Sequence, residues 1–211
     1  MSWDDTLNSL IHAGILKSKP IIAALKSLPR ENFLSEEMKQ FANEDRPLPI
    51  GYGQTISAPH MYAYMLEAAQ VRPGDKILEI GTGSGYGAAL LSVLAGKKGK
   101  AISIESEPRL VDFARANLAR VNLQAEIVEG DGYEGYEKEA PYDKIVVTAA
   151  CEEVPPALIE QLKTGGRLLI PVGKYFQDML LIEKTKEGLK TTPLLSVVFV
   201  PLVRKTIRKK D

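Results

Sequence analysis

The chain is 211 residues long, carries 27 basic and 27 acidic side chains for a formal net charge of zero, and is 45% hydrophobic. That length suits one domain with one core and argues against a two-domain enzyme. The charge balance removes any global electrostatic pull toward nucleic acid or an anionic membrane.

One cysteine, Cys151, excludes an internal disulfide framework and points to a reducing compartment. With only His12 and His60 beside it, a Cys/His zinc site is not expected. Met1–Asp5 is acidic and is not followed by the apolar run of a secretory leader. The apolar segments Ala88–Ala95 and Val197–Val203 are too short or too interrupted to span a bilayer. A soluble, cytoplasmic, monomeric protein is expected, with no membrane or nucleic-acid partner and no metal.

Asp4–His12 carries apolar residues at helical spacing, with Trp3 as its anchor. Lys19–Leu28 repeats the pattern behind Pro20 until Pro29 stops it. Glu44–Ala58 holds Pro47, Pro49, Gly51 and Gly53 with almost no periodicity. It reads as a long loop, and long loops inside compact domains often serve function. A helix over Ala58–Gln70 follows.

From Lys76 strands and helices alternate. Lys76–Ile80 is a strand, followed by a glycine-rich turn and a helix over Tyr86–Leu94. Ala101–Ile104 is a second strand, followed by a helix over Pro108–Val121. Ala125–Val128 and Lys144–Thr148 are further strands. A helix over Pro155–Leu162 ends at Gly165-Gly166, before a strand at Arg167–Val172. Such alternation requires right-handed crossovers and builds a doubly wound, mostly parallel α/β sheet with helices on both faces. Met179–Glu183 and Leu194–Val203, joined by a turn region at Lys184–Thr192, read as a closing antiparallel hairpin at one edge.

Ligands of such sheets bind at the carboxyl ends of the strands, near the point where strand order reverses. After the first strand stands Gly81-Thr82-Gly83-Ser84-Gly85-Tyr86-Gly87, a turn that lets a ligand approach backbone and a helix N-terminus. Tyr86 occupies the third glycine position of a dinucleotide fingerprint, and a bare strand-to-helix turn is the alternative reading. Glu79 precedes the first glycine, where its carboxylate would repel a pyrophosphate and suit a positively charged ligand. Glu105 follows the second strand and is placed to accept from ribose hydroxyls. Asp131, after the third strand, is placed to accept from an adenine amino group. Each acid alone reads as a solvated loop carboxylate. Together at one cleft they describe an adenosine with a cationic centre and no phosphate, S-adenosyl-L-methionine.

Leu78–Leu90, LEIGTGSGYGAAL, resembles the first motif of class I methyltransferases. Gly51–Met61 (GYGQTISAPHM), Gly130–Ala150, Gln161–Gly173 and Val198–Val203 are similar, in order, to segments of the protein-L-isoaspartate O-methyltransferase family. The resemblance implies a Rossmann-like methyltransferase fold with a seven-stranded sheet. It implies one domain over 1–211, with 1–75 a helical and loop extension on the acceptor side and 76–211 the cofactor-binding core. It implies that Gln54, Thr55, Ile56, Ser57, Glu79, Gly81, Thr82, Gly83, Ser84, Glu105, Asp131 and Gly132 contact the cofactor. Ser57 matches the active-site position, and Ser57, Ala58 and His60 would meet the acceptor. The reaction implied is methylation of the free α-carboxylate of isoaspartyl residues in damaged proteins and peptides.

Two departures stand out. Gly87 occupies a position where the family often has a larger polar residue, and the tail Arg204–Asp211 is less family-like than the strand before it. The residues themselves leave Ser57 open between catalysis and capping of the Ala58–Gln70 helix, and the resemblance favours catalysis. The acids are expected to face the adenosine and amino ends, away from an anionic acceptor. His60 reads either as an acceptor contact or as a packing histidine, Cys151 as an inert small residue, and the basic tail as a solvated terminus. Two alternatives stand beside the isoaspartyl reading: a class I methyltransferase for RNA or a small molecule, and a cofactor-binding protein without catalysis. No Asn-Pro-Pro-Tyr-like tetrapeptide follows the fourth strand.

Overall fold

The computed structural model describes residues 2–204. Helix α1 (Trp3–His12) starts on a capping box in which Ser2 and Asp5 exchange side-chain and backbone hydrogen bonds. The Trp3 indole donates to the Leu25 carbonyl at 2.8 Å, which ties α1 to α2 (Lys19–Ser27). A 3-10 turn at Arg30–Phe33 and the short α3 (Glu36–Lys39) follow.

The segment expected as a long loop, Glu44–Ala58, instead contains a hairpin of β1 (Leu48–Gly51) and β2 (Gln54–Ile56). Its strands are only four and three residues long, too short for an alternation to register. Its turn residue Tyr52 has φ +54°. Helix α4 (Pro59–Ala69) is closed by Gln70 in the left-handed region, φ +50°. The helix is thus shorter than Ala58–Gln70 by one residue at each end.

The sheet has seven strands: β3 (Lys76–Ile80), β4 (Lys100–Glu105), β5 (Glu126–Glu129), β6 (Tyr142–Val147), β7 (Leu162–Val172), β8 (Gln177–Thr185) and β9 (Gly188–Val197). Their order is β5-β4-β3-β6-β7-β8-β9. Strands β3 to β7 pair in parallel, and β7-β8 and β8-β9 are antiparallel, so the expected doubly wound sheet with an edge hairpin is present. Strand order reverses at β3, which pairs with β4 on one side and β6 on the other.

Helices α5 (Tyr86–Ala95) and α6 (Pro108–Arg120) join α1, α2 and α4 over one face, in a core that includes Leu7, Leu25, Ile77, Leu90 and Leu118. The other face packs Leu78, Ile80, Ile145 and Leu168 against α7 (Pro156–Glu160) and the segment holding Tyr133 and Tyr136. Helix α7 is shorter than the expected Pro155–Leu162, and Gly165-Gly166 lie inside β7 rather than ending the helix. Arg167 and Leu168 resume the pairing with β6 after an irregularity that absorbs the glycines.

At the end of the chain β8 runs from Gln177 and β9 starts at Gly188, so the turn is Lys186-Glu187 rather than the whole of Lys184–Thr192. Strand β9 stops at Val197. Val198–Val203, expected as strand, instead crosses the carboxyl end of the sheet. Val200 and Leu202 exchange backbone hydrogen bonds with Ala150 there, and Pro201 forms one bridge to it. The basic tail lies outside the described residues beyond Arg204. That arginine reaches Glu134 at 3.4 Å and stands over the Tyr133 ring.

Candidate active site

The carboxyl ends of β3 and β6, neighbours at the reversal point, are held together by two residues. Gly81 has φ +93°, and a Cβ there would collide with the Thr148 hydroxyl. That hydroxyl donates to the Gly81 carbonyl at 2.7 Å. The glycine is required both for its backbone angle and for this close approach.

One cavity lies over this junction. It is lined by Gln54 and Thr55 of β2, by Ile80, Gly81, Gly83, Ile104, Glu105 and Gly132 of the core, and by Thr148 and Val200–Val203. Its enclosed volume is about 60 Å³, far below the roughly 300–1,000 Å³ of ligand sites. The segment Val200–Val203 folds over the strand ends and fills it, with Leu202 against Gly132.

Glu105 shapes the cavity wall. Its Oε2 accepts from the Gly83 N–H at 2.9 Å, and its Oε1 accepts from Ser106 and Glu107 at 2.9 and 3.0 Å. Three backbone donors fix the carboxylate and fill about three of its four lone-pair sites, so Oε2 keeps acceptor capacity for one further donor. Branched apolar side chains of Ile80, Ile104 and Leu202 flank it. The chemistry of this lining, a free acceptor site on Glu105 Oε2 for a ribose hydroxyl beside aliphatic walls for a base, suits a nucleoside once Val200–Val203 makes room for it.

Glu79 differs from the expected cleft acid. It is 2% exposed and does not line the cavity. Along β3, Leu78 and Ile80 face one core, whereas Glu79 shares the Ile77 face beneath α5. Ser103 donates to its Oε2 at 2.6 Å, and its Oε1 stands against Gly87, where a Cβ would overlap it. Burial, with the nearby Glu105 charge adding to it, pushes the Glu79 carboxyl up to about 8. The absence of a larger residue at position 87 follows from this contact. Of the other expected cofactor residues, Ile56, Thr82 and Ser84 are buried. Thr82 shares a 2.6 Å hydrogen bond with Ser103, and Asp131 accepts from the Tyr133 N–H at 2.9 Å.

A second cavity of about 660 Å³ adjoins the first. Ser57, Ala58, His60 and Met61 line one side of it, and Tyr175, Phe176 and Val197–Val200 the other. Thr55, Thr148 and Val200 belong to both linings, so they form the partition. None of Glu79, Glu105 and Asp131 lines the Ser57 cavity.

Ser57 is not the helix cap. Ala58 occupies that place, without a side-chain cap bond, and the α4 amino end is served by Asp45, whose Oδ1 accepts from the His60 N–H at 2.9 Å. The same oxygen meets His60 Nδ1 at 2.9 Å, which orients the ring. The Ser57 hydroxyl is thereby left to the cavity. Cys151 is buried, and desolvation raises its thiol to about 11, as an inert residue requires.

Thr148, Val200 and Leu202 were not expected at the site. Thr148 carried a usable signal, since it stands at the carboxyl end of the fourth strand. Val200 and Leu202 read as strand, and nothing local marks a segment that folds across a sheet.

The family model described as protein-L-isoaspartate(D-aspartate) O-methyltransferase matches residues 1–207. A protein-L-isoaspartate O-methyltransferase of Ignicoccus hospitalis is 49% identical over 202 residues, spanning 94% of this chain and 96% of the relative. One of Pyrococcus horikoshii is 45% identical over 205 residues, spanning 95% and 92%. The solved structure of a Plasmodium falciparum protein of that description, in complex with S-adenosyl-L-homocysteine, superposes with TM-score 0.85 at 28% identity, covering 94% of this chain and 97% of that one. The chain belongs to the protein-L-isoaspartate O-methyltransferase family.

Proposed function

We propose that the protein methylates the free α-carboxylate of L-isoaspartyl residues in damaged proteins and peptides, using S-adenosyl-L-methionine, and so initiates their repair. The observation that carries this reading is the shared wall of Thr55, Thr148 and Val200 between the Glu105 cavity and the Ser57 cavity. S-adenosyl-L-methionine, when bound, supplies an electrophilic methyl group with a neutral thioether as leaving group.

The chain's own residues have little proton chemistry to perform. A peptide α-carboxylate has a pKa near 3.5 and is already ionised at neutral pH, so no general base is called for. Ser57 donates its hydroxyl to the acceptor carboxylate and fixes which oxygen faces the partition. The first turn of α4, at Pro59, adds the positive end of a helix dipole. Orientation of this kind contributes about 7–11 kcal/mol in well-aligned systems. Glu105 and the Gly81–Ser84 turn hold the nucleoside on the far side of the partition, which separates the acids from the anionic acceptor. In this division residues 1–75 form the acceptor-side extension and 76–211 the cofactor-binding core. No helix among the described residues is long and apolar enough to cross a membrane. The balanced charge supports a polypeptide rather than a nucleic-acid substrate, and the lone buried cysteine supports a reducing, cytoplasmic setting; a monomer is part of the same proposal.

The test is transfer of labelled methyl to paired peptides that differ only in aspartyl or isoaspartyl linkage. Transfer to the isoaspartyl peptide alone is expected. Transfer to RNA with neither peptide modified would overturn the reading.

A further inference from the structure

Arg30 is 1% exposed, among the most deeply buried side chains of the chain, and it lies outside both cavities. Its guanidinium holds backbone carbonyls rather than a carboxylate. Nη1 donates to Ala42 and Glu44 at 3.2 and 3.1 Å, and Nη2 to Arg46, Ser57 and Ile56 at 2.8, 3.0 and 3.3 Å. These carbonyls belong to two segments: 42–46, which precedes the β1-β2 hairpin, and 56–57, where β2 ends.

We propose that Arg30 is a positioning residue for the acceptor side of the reaction, setting Ser57 through its carbonyl and His60 through Asp45. The proposal rests on the reading of Ser57 and His60 as acceptor-facing groups. Two connections carry it. The bond to the Ser57 carbonyl fixes the peptide from which the Ser57 hydroxyl projects. The bonds to the Glu44 and Arg46 carbonyls bracket Asp45, the residue that holds both the His60 amide and its ring. One planar fork thus fixes two acceptor-side groups that are three residues apart in sequence and belong to a loop and a helix.

A buried cation is costly unless its donors are met; Nε has no partner, and Nη1 and Nη2 find all their carbonyls only when both segments stand in place. Lysine keeps the charge but cannot span five acceptors in a plane. Glu105 stands across the partition, whereas the same charge is bonded to the Ser57 carbonyl. Its long-range field therefore favours a carboxylate acceptor.

The test uses Arg30→Lys in the full-length protein. Expected is a fall in kcat/KM for an isoaspartyl peptide of 30-fold or more, with the Kd for S-adenosyl-L-homocysteine changed by less than threefold. In a Ser57→Ala background the same substitution should cost no more than about fivefold, the part that runs through His60, because the hydroxyl it also positions is gone. Equal losses in both backgrounds, or an unchanged kcat/KM, would overturn the proposal. If the lysine variant does not accumulate, Asp45→Asn at a half-exposed residue decides: KM for the peptide rises at least fivefold with cofactor affinity intact, and an unchanged KM overturns the link. A parent protein inactive on the isoaspartyl peptide overturns the proposed function alone. The clamp is then read by amide exchange, where Arg30→Lys must speed exchange at His60 without changing β3; equal protection at His60 overturns it.

Discussion

The Ser103 hydroxyl donates to Glu79 Oε2 at 2.6 Å beneath the glycine turn, and Glu79 is 2% exposed. The hydrogen bond lowers the carboxyl's pKa, but burial outweighs it, and the group titrates near 8 instead of the ordinary 4.5. Between those values the unfolded chain has lost the Glu79 proton and the folded chain has kept it. The stabilisation is therefore complete below about 4.5 and is lost as pH rises toward 8. Glu79→Gln should remove this slope, worth about 1.4 kcal/mol per pH unit at most. Urea midpoints of both proteins across that window should converge at the acid end and cross or separate at the alkaline end. Parallel curves would show that Glu79 ionises normally.

Gly87 lies in the first turn of α5 with an ordinary helical backbone. Replacing a helical glycine by alanine usually stabilises by about 1 kcal/mol. Here the added Cβ would meet Oε1 of the Glu79 carboxyl, whose Oε2 is held by Ser103. Gly87→Ala should destabilise instead, by about 1–3 kcal/mol, read as a lower melting temperature. The double variant Gly87→Ala/Glu79→Ala should recover part of the loss.

What the sequence made legible followed the strength of its periodicities. The parallel core announced itself because each of β3, β4 and β6 is an apolar run followed by a turn, and the residues after those runs are the ones the sheet gathers at its reversal point. Glu105 was legible for that reason. Glu79 was legible as an acid at a strand end but not as a buried one. Its orientation depends on whether position 79 shares a face with Ile77 or with an opening, and a run apolar on both faces does not say which. The β1-β2 hairpin escaped because strands of four and three residues leave no pattern. Arg30 gave no signal, since a buried arginine bonded to distant carbonyls looks like any charged residue behind a proline.

Tyr175 and Phe176 are 85% and 95% exposed, and with Val198 at 94% they stand on the wall of the Ser57 cavity opposite His60. Exposed apolar groups gathered at one rim mark a contact surface more often than chance placement does. The acceptor lies within a polypeptide, so side chains flanking the isoaspartyl residue are the groups available to cover them. Tyr175→Ser/Phe176→Ser should leave the melting temperature and the Kd for S-adenosyl-L-homocysteine unchanged. It should raise KM at least fivefold for isoaspartyl peptides with aromatic neighbours and much less for those with glycine neighbours. Equal effects on both peptides would assign the aromatic pair no part in choosing substrates.

Glu105 and Ser57 stand on opposite sides of the Thr55–Thr148 partition, so their substitutions should separate binding of the cofactor from use of the acceptor. Glu105→Gln replaces one of two accepting oxygens by an NH₂ group, which turns a donor toward the Gly83 or the Ser106 amide and removes the charge. Hydrogen bonds to charged groups are worth about 1.5–3 kcal/mol each, so the Kd for S-adenosyl-L-homocysteine should rise by tenfold or more. Ser57→Ala removes one hydroxyl that no buried partner requires, and the fold and the cofactor Kd should be untouched. The loss should fall on use of the isoaspartyl peptide, about 10- to 100-fold in kcat/KM, since one hydrogen bond to a charged group is worth about 1.5–3 kcal/mol. Calorimetric titration of both variants, set beside peptide kinetics, gives the ordering. If Ser57→Ala weakens the cofactor more than Glu105→Gln does, the two cavities have been assigned to the wrong ligands.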